Sequence, residues 1–343
     1  AMSKVRIAVL GASGYTGADL VRLALTHADI EIVALSANAK AGQSMADVWP
    51  HFAMFPALPR LVRAEDIDFG GVDVVFGCLP HATSAELLSG VTGPRIIDLS
   101  ADFRLKDAAT YADWYGNTHP ALGLLPGAMY GLTEFARDDL PGAGIVACPG
   151  CYPTAVLLGL LPLMHHISPE RITINALSGV SGAGRSLKEA NLFPEVAEAV
   201  APYAIGRHRH MPEIEQELSL RAGTPVTISF TPHLVPINRG ELVTMIVESA
   251  APVAGLRAAL DARYAAEPFV HLLPEGIAPA TRMVRGSNHV VVNVFADRVP
   301  GRAIVVVAID NLVKGSSGQA IQNMNVMLGL LETTGLTAAP LFP

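Results

Sequence analysis

The sequence predicts an α/β protein in two parts: a mostly parallel sheet over residues 1–150, then an α+β region with a mixed or antiparallel sheet over 151–314. Three observations carry this. Residues 4–10 alternate weakly and are rich in Val and Ile. They lead through Gly11-Ala12-Ser13-Gly14-Tyr15-Thr16-Gly17 into a helical pattern at Ala18, Leu20, Val21, Leu23 and Ala24, and residues 31–36 then supply a second strand. This is one βαβ unit of dinucleotide-binding length. Further strand candidates at 72–76, 95–99 and 144–147 alternate with turns or helical patterns, as a parallel sheet requires. After a helix-like run at 154–164, strands come densely at 171–177, 226–231, 241–248, 289–295 and 303–310, with one clear helix, 253–265, among the later members. The segment 316–330 is again helical, with Ala320, Ile321, Met324, Met327 and Leu328 on one side, and is expected to pack back on the first part.

Composition bounds the function. At 343 residues, half of them hydrophobic and 16% charged, the chain is long enough for two cored domains. Three cysteines, Cys78, Cys148 and Cys151, make no disulfide framework, and no basic segment followed by an apolar stretch opens the chain, so a reduced, cytoplasmic protein is expected. The apolar run 155–164 contains Pro162 and falls far short of the roughly 20 residues of a bilayer span, so no membrane partner is expected. A net charge of −7 without clustered Lys and Arg argues against a nucleic-acid partner.

The glycine turn is spaced G-x-x-G-x-x-G. Gly11 can make the tight turn, Gly14 can let backbone approach a pyrophosphate, and Gly17 can allow close helix packing. An NAD site usually ends its second strand with Asp or Glu on the ribose 2′-OH; here Ser36-Ala37-Asn38-Ala39-Lys40 is neutral to cationic, which favours NADP(H). Gly11, Ser13, Gly14, Tyr15, Thr16, Gly17, Ser36 and Lys40 are the cofactor candidates of this half, although Lys40 also reads as a solvated loop lysine.

Cys151 stands before the helical run 154–164. A thiol at a helix N-terminus meets unpaired N–H groups and the positive end of the macrodipole, which favour thiolate; a buried inert cysteine is the alternative. His210 with Glu213 three residues later suits an acid/base pair on one helical turn, or else a surface histidine before an acidic helix start. Ser178-Gly179-Val180-Ser181-Gly182-Ala183-Gly184-Arg185 follows a strand with flexible backbone and small donors, suited to an anion or to a structural loop. Arg104 and Arg239 stand beside loops, where they could grip carboxylate or phosphate, or form ion pairs. Cys148 and Cys151 also have C-x-x-C spacing, a redox dithiol or, with His208 and His210, a zinc reading; the histidine spacing is too narrow for the usual zinc motif, and no metal is expected.

Six segments together resemble the N-acetyl-gamma-glutamyl-phosphate reductase family of arginine biosynthesis, over essentially the whole chain. They are Gly11 to Gly17; Asp98-Leu99-Ser100-Ala101-Asp102-Phe103-Arg104; Pro149-Gly150-Cys151-Tyr152-Pro153-Thr154; Ser178 to Arg185; His208-Arg209-His210-Met211-Pro212-Glu213; and Asn311-Leu312-Val313-Lys314-Gly315 running into Gln319-Ala320-Ile321-Gln322-Asn323-Met324-Asn325. The family usually has Asn where this chain has Cys148, which makes the C-x-x-C spacing accidental.

The resemblance implies a Rossmann-type NADP-binding domain over 1–150, completed by a C-terminal helix in 315–343, and an α+β catalytic and oligomerisation domain over 151–314. It implies NADPH-dependent reductive dephosphorylation of N-acetyl-glutamyl 5-phosphate through a Cys151 thioester, with His210 and Glu213 in acid/base work. It further implies Arg104, Tyr203, His208 and Arg239 on the substrate, and Ser178, Gly179, Ser181, Gly182 and Asn311 at the cofactor, in a homodimer or homotetramer. Aspartate-semialdehyde dehydrogenase and a carrier-linked reductase of lysine biosynthesis are the alternatives of similar chemistry; a nucleotide-sensing binding protein is the non-enzymatic one.

Overall fold

The computed structural model describes residues 4–342. The chain divides into two compact units. The first runs through Pro149 and takes in Ser316–Thr337; the second is Gly150–Gly315 with the chain from Ala338 onward. The last residues, expected in the nucleotide part, thus belong to the second unit, where the Leu341 N–H donates to the Arg285 carbonyl at 2.8 Å.

The first unit is a seven-stranded sheet: β1 Val5–Leu10, β2 Ile30–Ser36, β3 Leu61–Val62, β4 Val74–Gly77, β5 Arg95–Asp98, β6 Ala128–Tyr130 and β7 Ile145–Ala147. Its order is β3-β2-β1-β4-β5-β7-β6 and every pair is parallel. The central strands β1, from Ile7 to Leu10, and β4 throughout are apolar and buried on both faces, as a covered parallel sheet demands. The strand order reverses between β1 and β4, the switch point at whose C-terminal edge such sheets bind ligands. The helix Tyr15–Ala24 follows β1 directly. The predicted C-terminal helix is Gly318–Met327, preceded by a π-helical turn, Val313–Ser317.

The second unit holds the other seven strands: β8 Ile167–Gly179, β9 Ala201–Pro202, β10 Ile228–Val235, β11 Glu241–Ser249, β12 Val270–Leu272, β13 Val290–Ala296 and β14 Arg302–Ile309, in the order β12-β13-β14-β11-β8-β10-β9. The sheet is mixed: β8–β10 and β12–β13 are parallel, and the other pairs antiparallel. Along β11 buried residues alternate strictly, Glu241, Val243, Met245 and Val247, and the helix Cys151–Leu160 covers that face. Gly159 makes the approach possible, since a Cβ there would lie 2.5 Å from Met245 Cε. The sequence pattern placed this helix three residues late and read only the first turn of a second one, Met211–Ala222, whose polar composition hides the rest of its period. That helix begins with Pro212 in its first turn and stops at Gly223, where φ is +70°.

Candidate active site

The thiol site lies within the second unit. Cys151 is the first residue of its helix, behind a Gly150 cap that brings no side-chain hydrogen bond. First-turn N–H groups point out of the end of a helix, and Pro153 has none, so the donors next to the Gly150 cap are those of Cys151 and Tyr152. The Gly150 N–H donates to Glu213 Oε1 at 2.8 Å, tying the buried Glu213 to the turn that carries the thiol. His210 caps the Glu213 helix, and its N–H donates to His208 Nδ1 at 3.1 Å.

Rings close the site. The His208 and His210 centroids are 4.8 Å apart, and Tyr152 lies 5.5 Å from His208 and 5.8 Å from His210. The Tyr203 hydroxyl donates to the Tyr152 hydroxyl at 3.1 Å, and its ring meets His208 edge-on. Burial, then Arg209, lowers His208 to about 4, so this ring is neutral near pH 7. Burial first, then the Glu241 charge, pushes Tyr152 far above its usual value and keeps it protonated. Cys151, Tyr203, His208, His210 and Glu213, separated by up to 62 positions in sequence, thereby form one cluster. Glu241, which the sequence reading missed, joins them: a carboxylate opening a strand looks exposed until the covering helix is in place.

A second cluster in the same unit unites the small-residue loop with Asn311. Asn311 Nδ2 donates to Ser181 Oγ at 2.9 Å, and its Oδ1 accepts from the Gly240 N–H at 2.8 Å. Gly179 and Gly182 admit no side chain: a Cβ on the first would lie 2.8 Å from the Asn238 carbonyl, and on the second 2.9 Å from Ser178 Oγ. Arg239 reaches Asp310 at 3.4 Å and lines a cavity of about 800 Å³ with Arg282 and Arg285.

The first unit carries the glycine turn as read. The Gly11 and Ala12 N–H groups donate to the Ser36 carbonyl, and Gly11 has φ +79°. A Cβ on Gly11 would lie 2.3 Å from the Cys78 carbonyl, and one on Gly17 2.3 Å from the Gly11 carbonyl. Gly14 differs: a Cβ there meets nothing closer than 3.6 Å, so the cap of the helix Tyr15–Ala24 stands open to a ligand. This arrangement fits a dinucleotide pyrophosphate. Ser13 and Thr16 lie in the same turn and first helical turn, and the Tyr15 ring stands 5.8 Å from Trp49. Ser36 is buried at the end of β2, and Lys40 is exposed just beyond. Arg60 donates to the Gly42 carbonyl at 2.6 Å, which brings a second cation beside that loop; only tertiary pairing of residues 43 and 61 reveals it.

Arg104, also in the first unit, is buried and donates to the Cys148 carbonyl at 2.8 Å and the Leu99 carbonyl at 3.0 Å. Part of its capacity therefore holds backbone. Cys148 is buried with its sulfur 3.6 Å from Asn323 Nδ2, and burial raises the enclosed Cys78 thiol although its residue keeps some exposure. Among the described residues no three His, Cys, Asp or Glu gather into a metal-sized group, and no helix is long and apolar enough to cross a membrane.

Two family models match: the semialdehyde dehydrogenase NAD-binding domain over residues 6–143, and the semialdehyde dehydrogenase dimerisation domain over 151–311. The N-acetyl-gamma-glutamyl-phosphate reductase of Rhodospirillum rubrum is 53% identical over 99% of both chains. The probable chloroplastic one of Arabidopsis thaliana is 53% identical over 99% of this chain and 86% of that protein. Among solved structures, aspartate semialdehyde dehydrogenase II of Vibrio cholerae superposes with TM-score 0.73 at 17% identity over 95% of this chain and 99% of that one. The Candida albicans aspartate semialdehyde dehydrogenase with NADP gives 0.66 at 18%, over the same shares. These structures share the fold, and the close sequence relatives fix the branch: the chain belongs to the N-acetyl-gamma-glutamyl-phosphate reductase family of the semialdehyde dehydrogenases.

Proposed function

We propose that this protein reduces N-acetyl-L-glutamyl 5-phosphate to N-acetyl-L-glutamate 5-semialdehyde with NADPH, releasing phosphate, as a step of arginine biosynthesis. The observation that carries the mechanism is Cys151 at a helix N-terminus behind a glycine cap, whose turn is tied to Glu213 and whose flank holds His210.

The Cys151 sulfur attacks the acyl carbon; the C–O bond to phosphate breaks and a thioester forms. NADPH, when bound, supplies the hydride that takes the acyl group to the aldehyde level. The Cys151 and Tyr152 N–H groups face the oxyanion that develops. His210 gives it a proton, then takes that proton back as the C–S bond breaks and the aldehyde leaves. Glu213 fixes the Gly150 turn, and Tyr203, His208, Arg239 and Arg104 bind substrate. In the first unit Gly11, Ser13, Gly14, Tyr15, Thr16 and Gly17 hold the pyrophosphate, while Ser36 and Lys40, with Arg60, favour the 2′-phosphate. Ser178, Gly179, Ser181, Gly182 and Asn311 complete the cofactor site. The second unit mediates a homodimer or homotetramer.

The reverse reaction tests this: N-acetyl-glutamate 5-semialdehyde, phosphate and NADP, followed as NADPH formation, with aspartate semialdehyde alongside. Preference for the longer aldehyde is expected, and preference for the shorter overturns the substrate. Cys151→Ala should abolish phosphate-dependent turnover and leave NADPH affinity nearly unchanged; retained turnover removes the thioester.

A further inference from the structure

Glu241 is wholly buried, and neither of its carboxylate oxygens has a regular hydrogen bond. An ionised carboxylate in that state is costly, so its surroundings should explain it. Two lines of geometry place it beside the nucleophile. The covering helix has Gly159 against Met245; eight residues back along the helix is about 12 Å, and four residues back along β11 about 13 Å, so Cys151 and Glu241 stand at the same end. Independently, a Cβ on Gly315 would lie 2.8 Å from Cys151 Cβ and 3.2 Å from Ile309 Cδ1, and Ile309 is the β14 partner of Glu241.

We propose that Glu241 and Cys151 share one proton once the pair has lost its first, so that the buried carboxyl gates the nucleophile: the thiolate form has Glu241 protonated, the alternative with Glu241 ionised holds the thiol as S–H, and full thiolate comes only with the second proton loss. This rests on Cys151 being the reacting thiol. Losing one proton from the pair breaks either the S–H or the O–H bond, and exchange moves the same proton between sulfur and oxygen, with no further reactant. Burial pushes the Glu241 carboxyl up to about 8, the Cys151 thiol draws it down, and Asp310 raises it. Tyr152 and Tyr203 are the other titratable groups that feel Glu241, and both are held protonated by burial; Arg239 faces Asp310. A neutral carboxyl can donate to thiolate, whereas a carboxylate within contact repels it, and the pair titrates in two macroscopic steps.

The test is the pH profile of Cys151 alkylation by iodoacetamide in the full chain, read by mass spectrometry of the Cys151 peptide, in wild type and Glu241→Gln. Wild type should show two inflections, with alkylation held back above the Glu241 ionisation near 8. Glu241→Gln should titrate in one step and, one pH unit above that ionisation, be alkylated roughly tenfold faster. Its turnover should likewise reach its plateau at lower pH than that of wild type, whose thiolate forms fully only with the second proton loss, a change that a purely structural role would not produce. Superimposable profiles overturn the proposal. So does a single simple titration in wild type, a result that stands even if the Gln variant fails to fold. Retained turnover in Cys151→Ala would sink the thioester reading instead and leave the alkylation result to be judged alone.

Discussion

His208 accepts the His210 N–H on Nδ1, a bond that exists only while that nitrogen carries no proton. Burial and Arg209 lower its pKa from 6.5 to about 4. The unfolded chain therefore binds a proton at this site over a range where the folded protein does not, so stability falls as pH drops from 6.5 towards about 4. His208→Gln should flatten that part of the curve of unfolding free energy against pH, measured by urea denaturation, by about 1–2 kcal/mol, after allowance for the ring's partial exposure. An unchanged acid limb would remove His208 as its source. Sequence made His208, His210 and Glu213 legible because they are adjacent, and Cys151 because helix N-terminal chemistry is local. Glu241 was illegible for the opposite reason: its burial comes from a helix some ninety positions earlier, and its alternation with Val243 and Met245 reads as strand whichever face is covered.

At the scale of the element, the βαβ turn separates glycines the backbone needs from one the ligand needs. A Cβ on Gly17 would lie 2.3 Å from the Gly11 carbonyl and 2.7 Å from Ala12 Cα, and backbone atoms cannot swing aside. Gly17→Ala should thus cost about 1–3 kcal/mol of stability, read as a lowered denaturation midpoint. Gly14 has an ordinary φ of −82° and open space, so Gly14→Ala should leave the midpoint nearly unchanged and weaken NADPH binding in a fluorescence titration. Equal losses of stability in both variants would contradict this division. Such long-range distances are invisible in a motif, which gives three equivalent glycines. The same limit hid β3, β6, β9 and β12, two or three residues each: edge strands this short contain no period to read and form because a longer neighbour offers them a partner.

At the scale of the whole molecule, the chain leaves its first unit at Pro149 and returns to it at Ser316, and the returning segment is bound by buried polar contacts rather than by apolar area alone. Ser317 donates to Asp19 at 2.7 Å, Asn325 meets His27 at 2.8 Å, and Arg137 pairs with Glu332 at 2.9 Å. Asn323 is central: fully buried, it accepts from Thr133 Oγ1 at 2.6 Å and donates to the Gly131 carbonyl at 2.8 Å. The sequence suggested an apolar stripe packing back on the sheet; the amides beside that stripe fix where it packs, because a misplaced helix leaves them unpaired in the interior. Asn323→Ala would orphan both the Thr133 hydroxyl and the Gly131 carbonyl, for a loss of about 2–4 kcal/mol. The two tryptophans, Trp49 and Trp114, both lie in the first unit, so urea unfolding followed by tryptophan emission reports on this unit selectively. The midpoint should fall in Asn323→Ala and, because the Asn323 side chain bonds to Thr133 and Gly131 and not to the glycine turn, NADPH affinity should fall only where the unit has begun to unfold. A midpoint equal to that of wild type would mean that the returning helix is held by its apolar face, with the amides contributing nothing net.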